Sequence, residues 1–146
     1  MDITIREATE NDFGAIVEMF KEFAHFEGLD ERLVNTVERM VDEKDYFNCF
    51  VAVDSQDEIL GYATHFFAYF TWTGKSLYMD DLYVREKYRG VGIGRILINK
   101  VIDYAKSTGC HKVRWQVSDW NAPAIGFYKG LGAVIDAQER NCDLDI

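Results

Sequence analysis

The chain has 146 residues, 48% hydrophobic and 14% aromatic, with 16 Lys+Arg against 25 Asp+Glu for a formal charge of −9. That length is one domain's worth (residues 1–146), enough to bury a core without disulfides or metal, and the composition excludes disorder, collagen-like repeats and coiled coil. The acidic balance argues against a nucleic-acid partner; a polycationic substrate would suit it, and ordinary solubility explains it equally well. No apolar run approaches the ~18–20 residues of a membrane span, and Met1 to Arg6 lacks the features of a signal peptide. A soluble cytoplasmic protein with no membrane partner is expected. Cys49, Cys110 and Cys142 are odd in number and far apart, which suits reduced thiols, and His25, His65 and His111 have no metal-ligand spacing, so no metal is expected.

In chain order, Ile3, Ile5 and Arg6 open as a short alternating strand. Thr9 to Asp12 offers helix caps before Ile16, Val17, Phe20, Phe23 and Ala24, spaced for one helical face. A second amphipathic helix is predicted from about Asp30 to Asp42 through Leu33, Val37, Met40 and Val41. Strands follow over Phe47 to Val53, Ile59 to about Phe70, and Leu77 to Arg85 after a break at Gly74. The glycine-rich segment Gly90 to Gly94 feeds a helix whose buried face is Ile93, Leu97, Val101 and Ala105, with Ile98 and Ile102 alongside, ended by Gly109. Val113 to Val117 reads as a strand, Asn121 to about Leu131 as a short helix, and Ala133 onward as one or two terminal strands. Trp72, Trp115 and Trp120 are assigned to core or interface. This order gives a mixed α/β class, with α+β character, rather than a regularly alternating doubly wound fold.

A glycine-rich corner between strand and helix can cradle a phosphate on backbone N–H groups, and it can also be no more than a tight turn. No Lys-Ser or Lys-Thr follows the glycines, so it is not a P-loop, and Arg95 stands where a dinucleotide fingerprint needs glycine. What remains is R-x-x-G-x-G, written Arg89-Gly90-Val91-Gly92-Ile93-Gly94. It resembles the pyrophosphate loop of the GNAT superfamily of N-acetyltransferases. Leu77 to Val84, Tyr88 to Gly94, and Trp120-Asn121-Ala122-Pro123 through Phe127-Tyr128-Lys129 together resemble its diamine (spermidine/spermine) branch.

The resemblance implies a GNAT fold, a central mixed and mostly antiparallel sheet with helices on both faces. It implies acetyl-CoA as co-substrate, held by Arg89, Gly90, Val91, Gly92, Ile93, Gly94 and Arg95, by the backbone of Leu82, Tyr83 and Val84, and by Asn121. It makes Tyr128 the acid that protonates the departing thiolate; packing beside Phe127 would be the ordinary role of that ring. Asp80 and Asp81 correspond to an acidic pair that holds the amine, with Asp80 in a catalytic position where the relatives carry Glu. Strand alternation would send the two side chains opposite ways unless a bulge intervenes. Phe26 and Glu27 resemble a Tyr-Glu substrate contact, and Glu139 loosely matches a further acidic one. The expected function is acetyl transfer to a small diamine, polyamine or lysine-like amine by direct attack in a ternary complex, in a homodimer. A non-catalytic acyl-CoA sensor and an acetyltransferase for protein amines are the alternatives.

Overall fold

The computed structural model describes residues 2–146, which divide into two compact units meeting in sequence between Trp115 and Gln116. In the first, β1 (Thr4–Glu7) leads through a 3-10 turn at Glu10–Asp12 into α1 (Phe13–Glu27), followed by α2 (Val37–Asp42). Then come β2 (Asn48–Val53), β3 (Ile59–Phe70), β4 (Gly74–Val84), α3 (Ile93–Ser107) and β5 (Val113–Arg114). The sheet order is β1-β2-β3-β4-β5, antiparallel except for the parallel β4–β5 pair. This is the mixed, mostly antiparallel architecture expected from the sequence. No helix among the described residues is long and apolar enough to cross a membrane.

Alternation in β2 shows why both faces need a helix. Cys49, Val51 and Val53 pack with Phe13, Ile16, Val17 and Met19 of α1 and Met40 of α2. Phe50, one residue out of phase, turns to the other face, where its ring lies 5.6 Å from Tyr104 of α3. A strand apolar on both sides can leave water only between two layers. On α3 the buried residues are Ile93, Leu97, Ile98, Val101 and Ala105, the stripe read from the sequence. Fully burying a side chain such as Leu97 contributes about 1.5–3 kcal/mol.

Several elements differ from expectation. The helix predicted over 30–42 is a 3-10 turn at Asp30–Arg32, an extended Leu33 and the short α2. Asn35 Oδ1 accepts from Thr36 N at 2.9 Å and Thr36 Oγ1 from Arg39 N at 3.1 Å, so local side-chain contacts start the helix late. β4 begins at Gly74 itself, because the hairpin pairs Phe70 with Gly74. β5 is only two residues long. Trp72 and Trp120 are exposed, so neither is a core residue.

The second unit contains α4 (Ala122–Gly130), with Asn121 as N-cap accepting from Ala124 N at 3.3 Å and Pro123 in the first turn. No strand forms over 133–146, contrary to the predicted terminal strands. A strand needs a ladder partner, and Val134 and Leu144, the apolar residues that would have lined it, stand almost fully exposed.

His65 on β3 is a buried imidazole, its ring tilted 4.8 Å from that of Phe50 and edge-on 5.5 Å from that of Tyr104. Its Nδ1 lies 3.3 Å from Ala63 O, and its buried Nε2 has no hydrogen-bond partner. Burial pushes its pKa down from 6.5 to about 4. The unfolded chain therefore binds the proton better, and stability is lost as pH falls from 6.5 toward 4, by on the order of 3 kcal/mol. His65→Phe should flatten the decline of Tm over that window in calorimetry; an unchanged slope would show that His65 does not carry it.

Candidate active site

The chain leaves β4, makes a 3-10 turn at Glu86–Tyr88 and enters α3 through Arg89 to Gly92. Gly90 (φ 84°) and Gly92 (φ 92°, the N-cap of α3) are left-handed, a conformation that costs a side chain strain. A Cβ at either position would meet nothing within 4 Å, so backbone conformation, not crowding within the protein, demands glycine. Gly94 is already helical, its would-be Cβ 3.9 Å from Val84 Cγ2. Ile96 N–H donates to Gly92 O at 3.1 Å, which leaves the Ile93 and Gly94 N–H groups ahead of the helical ladder, as anion binding requires.

The edge of β4 beside this loop is largely open. Its parallel neighbour β5 pairs only with Leu77 and Tyr78, so Leu82, Tyr83 and Val84 have no strand partner on that side. Arg89 does not point its side chain along the loop. Its Nε donates to Val84 O at 2.7 Å, and its guanidinium lies 5.2 Å from the Phe26 ring centre and 5.3 Å from that of Tyr83. Arg95 and Val91 are exposed and Ile93 is buried.

The acidic pair sits on a β-bulge. Thr64 pairs with Asp81 and His65 with Met79, so Asp80 is the extra residue in β4. Met79 shares the α3 face with its partner His65, whereas Asp81 has turned to the α1 face, where Tyr62 Oη donates to its Oδ2 at 2.9 Å. Thr64 Oγ1 accepts from Asp81 N at 3.1 Å. Burial pushes the Asp81 carboxyl from 3.8 up to about 6, with the charges of Asp80 and Glu27 adding to the rise and the Tyr62 hydrogen bond opposing it. Asp80 keeps an exposed edge, yet the protein around it raises its carboxyl too. Regular alternation is thus set aside at this pair.

Aromatic rings of α1 flank these acids. Phe20 meets Tyr62 edge-on at 5.3 Å, and Phe23 stacks on Tyr83 at 5.2 Å. Phe26 is half exposed and Glu27 half buried at the end of the helix, close enough for its charge to reach Asp81. Tyr83 Oη donates to Glu22 Oε1 at 3.2 Å, and Arg85 Nε lies 3.4 Å from Glu22 Oε2. Among the described residues no group of three or more His, Cys, Asp or Glu is arranged to hold a metal ion. In the second unit Asn121 caps α4, Tyr128 is buried with its ring 5.5 Å from Phe127, and Glu139 is exposed.

The sequence reading overlooked Tyr62, Thr64, Glu22 and Gly61. The Tyr62 and Thr64 positions read as ordinary strand residues, and only pairing register discloses what they touch. Gly61 had a local sign, a glycine inside an apolar strand. A Cβ there would fall 2.6 Å from Tyr83 O and 3.2 Å from Val84 Cα, backbone that would have to move. Gly61→Ala should destabilise the protein by about 1–3 kcal/mol and displace β4 at Tyr83–Val84. Denaturant unfolding checks the first part and amide chemical shifts the second; wild-type stability and shifts would mean that this contact is soft.

The family model described as "Acetyltransferase (GNAT) family" matches residues 13–133. A thialysine N-epsilon-acetyltransferase of Mus musculus is 41% identical over 140 residues, covering 88% of this chain and 82% of the mouse protein. A spermidine/spermine N(1)-acetyltransferase-like protein of Homo sapiens is 32% identical over 96% of this chain and 22% of its own length. The crystal structure of a Trypanosoma brucei acetyltransferase superposes with a TM-score of 0.75 at 25% identity, covering 99% of this chain and 100% of that one. GNAT acetyltransferases use acetyl-CoA as co-substrate. With this sheet, this glycine turn and a family match over most of its length, the chain belongs to the acetyltransferase (GNAT) family and is an N-acetyltransferase.

Proposed function

We propose that this protein transfers the acetyl group of acetyl-CoA to a primary amine of a small lysine-like amino acid, diamine or polyamine, by direct attack in a ternary complex. The observation that carries the amine reading is the acidic bulge, where Asp80 and Asp81 share an electrostatic neighbourhood with Glu27 among aromatic side chains. An alkylamine with a pKa near 10 arrives as an ammonium, and carboxylates are its natural partners. The names of the mouse and human relatives support the lysine-like and polyamine ends of this range respectively.

In this reading the coenzyme's pyrophosphate lies on the turn from Arg89 to Arg95, and its pantetheine arm pairs with the open edge at Leu82, Tyr83 and Val84, with Asn121 as a further contact. A backbone N–H there stabilises the developing oxyanion, an effect worth about 2.7–4 kcal/mol. Phe26, Glu27 and Asp81 bind the amine. Asp80 accepts its proton directly or through water, the nitrogen attacks the thioester carbon, the C–S bond breaks as Tyr128 protonates the leaving thiolate, and the second proton shed by the acylated nitrogen restores the tyrosine hydroxyl. Homodimeric assembly belongs to the same proposal and is read by light scattering in solution.

The test is release of coenzyme A thiol from acetyl-CoA over a panel of lysine analogues, diamines and polyamines. Turnover of at least one is expected; tight acetyl-CoA binding with no turnover on any amine or basic peptide would favour a sensor. Gly92→Val should weaken acetyl-CoA binding in calorimetry, since a branched side chain strains a φ of 92° and fills the space above the turn. Undiminished affinity in a folded variant would remove the turn from the site. Tyr128→Phe should lower kcat about 100-fold with acetyl-CoA affinity within about twofold, the lower end of general acid assistance, because a thiolate is a fair leaving group. A kcat within about twofold of the parent would leave Tyr128 as a packing residue.

A further inference from the structure

Two β3 side chains with no part in the chemistry proposed above both end on Asp81. Tyr62 is fully buried, and its hydroxyl spends its proton on Asp81 Oδ2 at 2.9 Å. Thr64 is buried next to it on the same face, and its Oγ1 receives the Asp81 N–H at 3.1 Å. The first contact holds the carboxylate and the second holds the backbone of the residue that follows the extra one in the bulge. A threonine hydroxyl that accepts from a backbone N–H takes a place that regular pairing would give to a carbonyl, so the bulge is fastened where the ladder is interrupted.

We propose that Tyr62 and Thr64 are positioning residues for the amine site: Thr64 holds the bulge that turns Asp81 onto the α1 face, and Tyr62 fixes the direction in which its carboxylate meets the substrate ammonium. The inference rests on the amine reading of the site and deepens it. With Oδ2 committed to Tyr62, Oδ1 is the oxygen left to face a cation. A hydroxyl that donates to the ionised carboxylate also favours that form against its surroundings. Those surroundings are Asp80 of β4, Glu27 of α1 and the Cys49 thiol of β2, which burial pushes up to about 12 and which feels the charge of Asp81. Tyr62, itself pushed well above 10 by burial and by Asp81, stays protonated and therefore stays a donor.

The decisive variant is Tyr62→Phe, which keeps the ring against Phe20 and removes only the hydroxyl. Carboxyl carbon NMR on the full-length protein should show the Asp81 midpoint rising by about one pH unit, the scale of one hydrogen bond to a charged group. The acidic limb of kcat/KM for the best amine should move up by the same amount. At pH 7 the amine KM should rise about fivefold or more, with acetyl-CoA affinity changed by less than twofold. Thr64→Val should also raise the amine KM, and Thr64→Ser, which keeps the oxygen, should restore it; this pair covers the case in which Tyr62→Phe fails to fold. An Asp81 midpoint and amine KM unchanged in Tyr62→Phe, or Thr64→Ser behaving like Thr64→Val, would overturn the proposal. A midpoint that moves while amine kinetics do not would leave the hydroxyl contact intact and overturn the amine reading of Asp81 instead.

Discussion

One extra residue in β4 decides which side chains this protein's first unit presents on each face of its sheet. Leu77 and Met79 pair with Phe67 and His65, whose rings pack against Tyr104 of α3, His65 edge-on and Phe67 tilted. Tyr83, further along the same strand, lies in the α1 core. A regular strand would hold residues 77, 79, 81 and 83 to one face. The bulge at Asp80 changes the parity between Met79 and Asp81, so apolar side chains seal the α3 face while a carboxylate is delivered to the α1 face. A slip of one residue would instead place Asp81 against α3, with Met79 and Leu77 displaced from their layer.

Delivering a carboxylate to a nearly buried place carries a desolvation cost, visible in the rise of the Asp81 pKa to about 6. The fold offsets part of it with the Tyr62 hydroxyl and leaves part standing. The charges of Asp80 and Glu27 add to that cost. His65, across the sheet, is treated the opposite way: burial holds it neutral at a midpoint of about 4. Between pH 4 and 6 the two groups pull stability in opposite directions, since the folded state binds a proton at Asp81 and refuses one at His65.

The same sheet positions the other parts. Because β2 and β3 are packed from both sides, β4 is held along one edge by a long antiparallel ladder, and β5 leaves most of its other edge free. Gly61 allows the close approach of β3 to β4 at Tyr83 and Val84, beside the segment that runs into the glycine turn. Arg89 joins that turn to the aromatic wall by donating to Val84 O and covering Phe26 and Tyr83. Turn, strand edge and acidic bulge are therefore one continuous piece of backbone.

Local order was legible wherever a short stretch carries its own periodicity. The apolar run over Ile59–Phe70 and the stripe Ile93, Leu97, Val101 and Ala105 depend on near neighbours alone, and both are observed. The glycines at 90 and 92 announced a turn because left-handed backbone is nearly reserved for that residue. Asp80 and Asp81 stood out as charges in an apolar strand, but their directions could not be read, because a bulge is a property of two strands in register and one strand's sequence does not contain it. Tyr62 and Thr64 were invisible for the same reason: their partner lies 17–19 residues away, across the hairpin. The strands expected after Ala133 failed from the opposite cause, since alternation shows that a segment could pair and only the tertiary structure supplies, or withholds, the edge it would pair with.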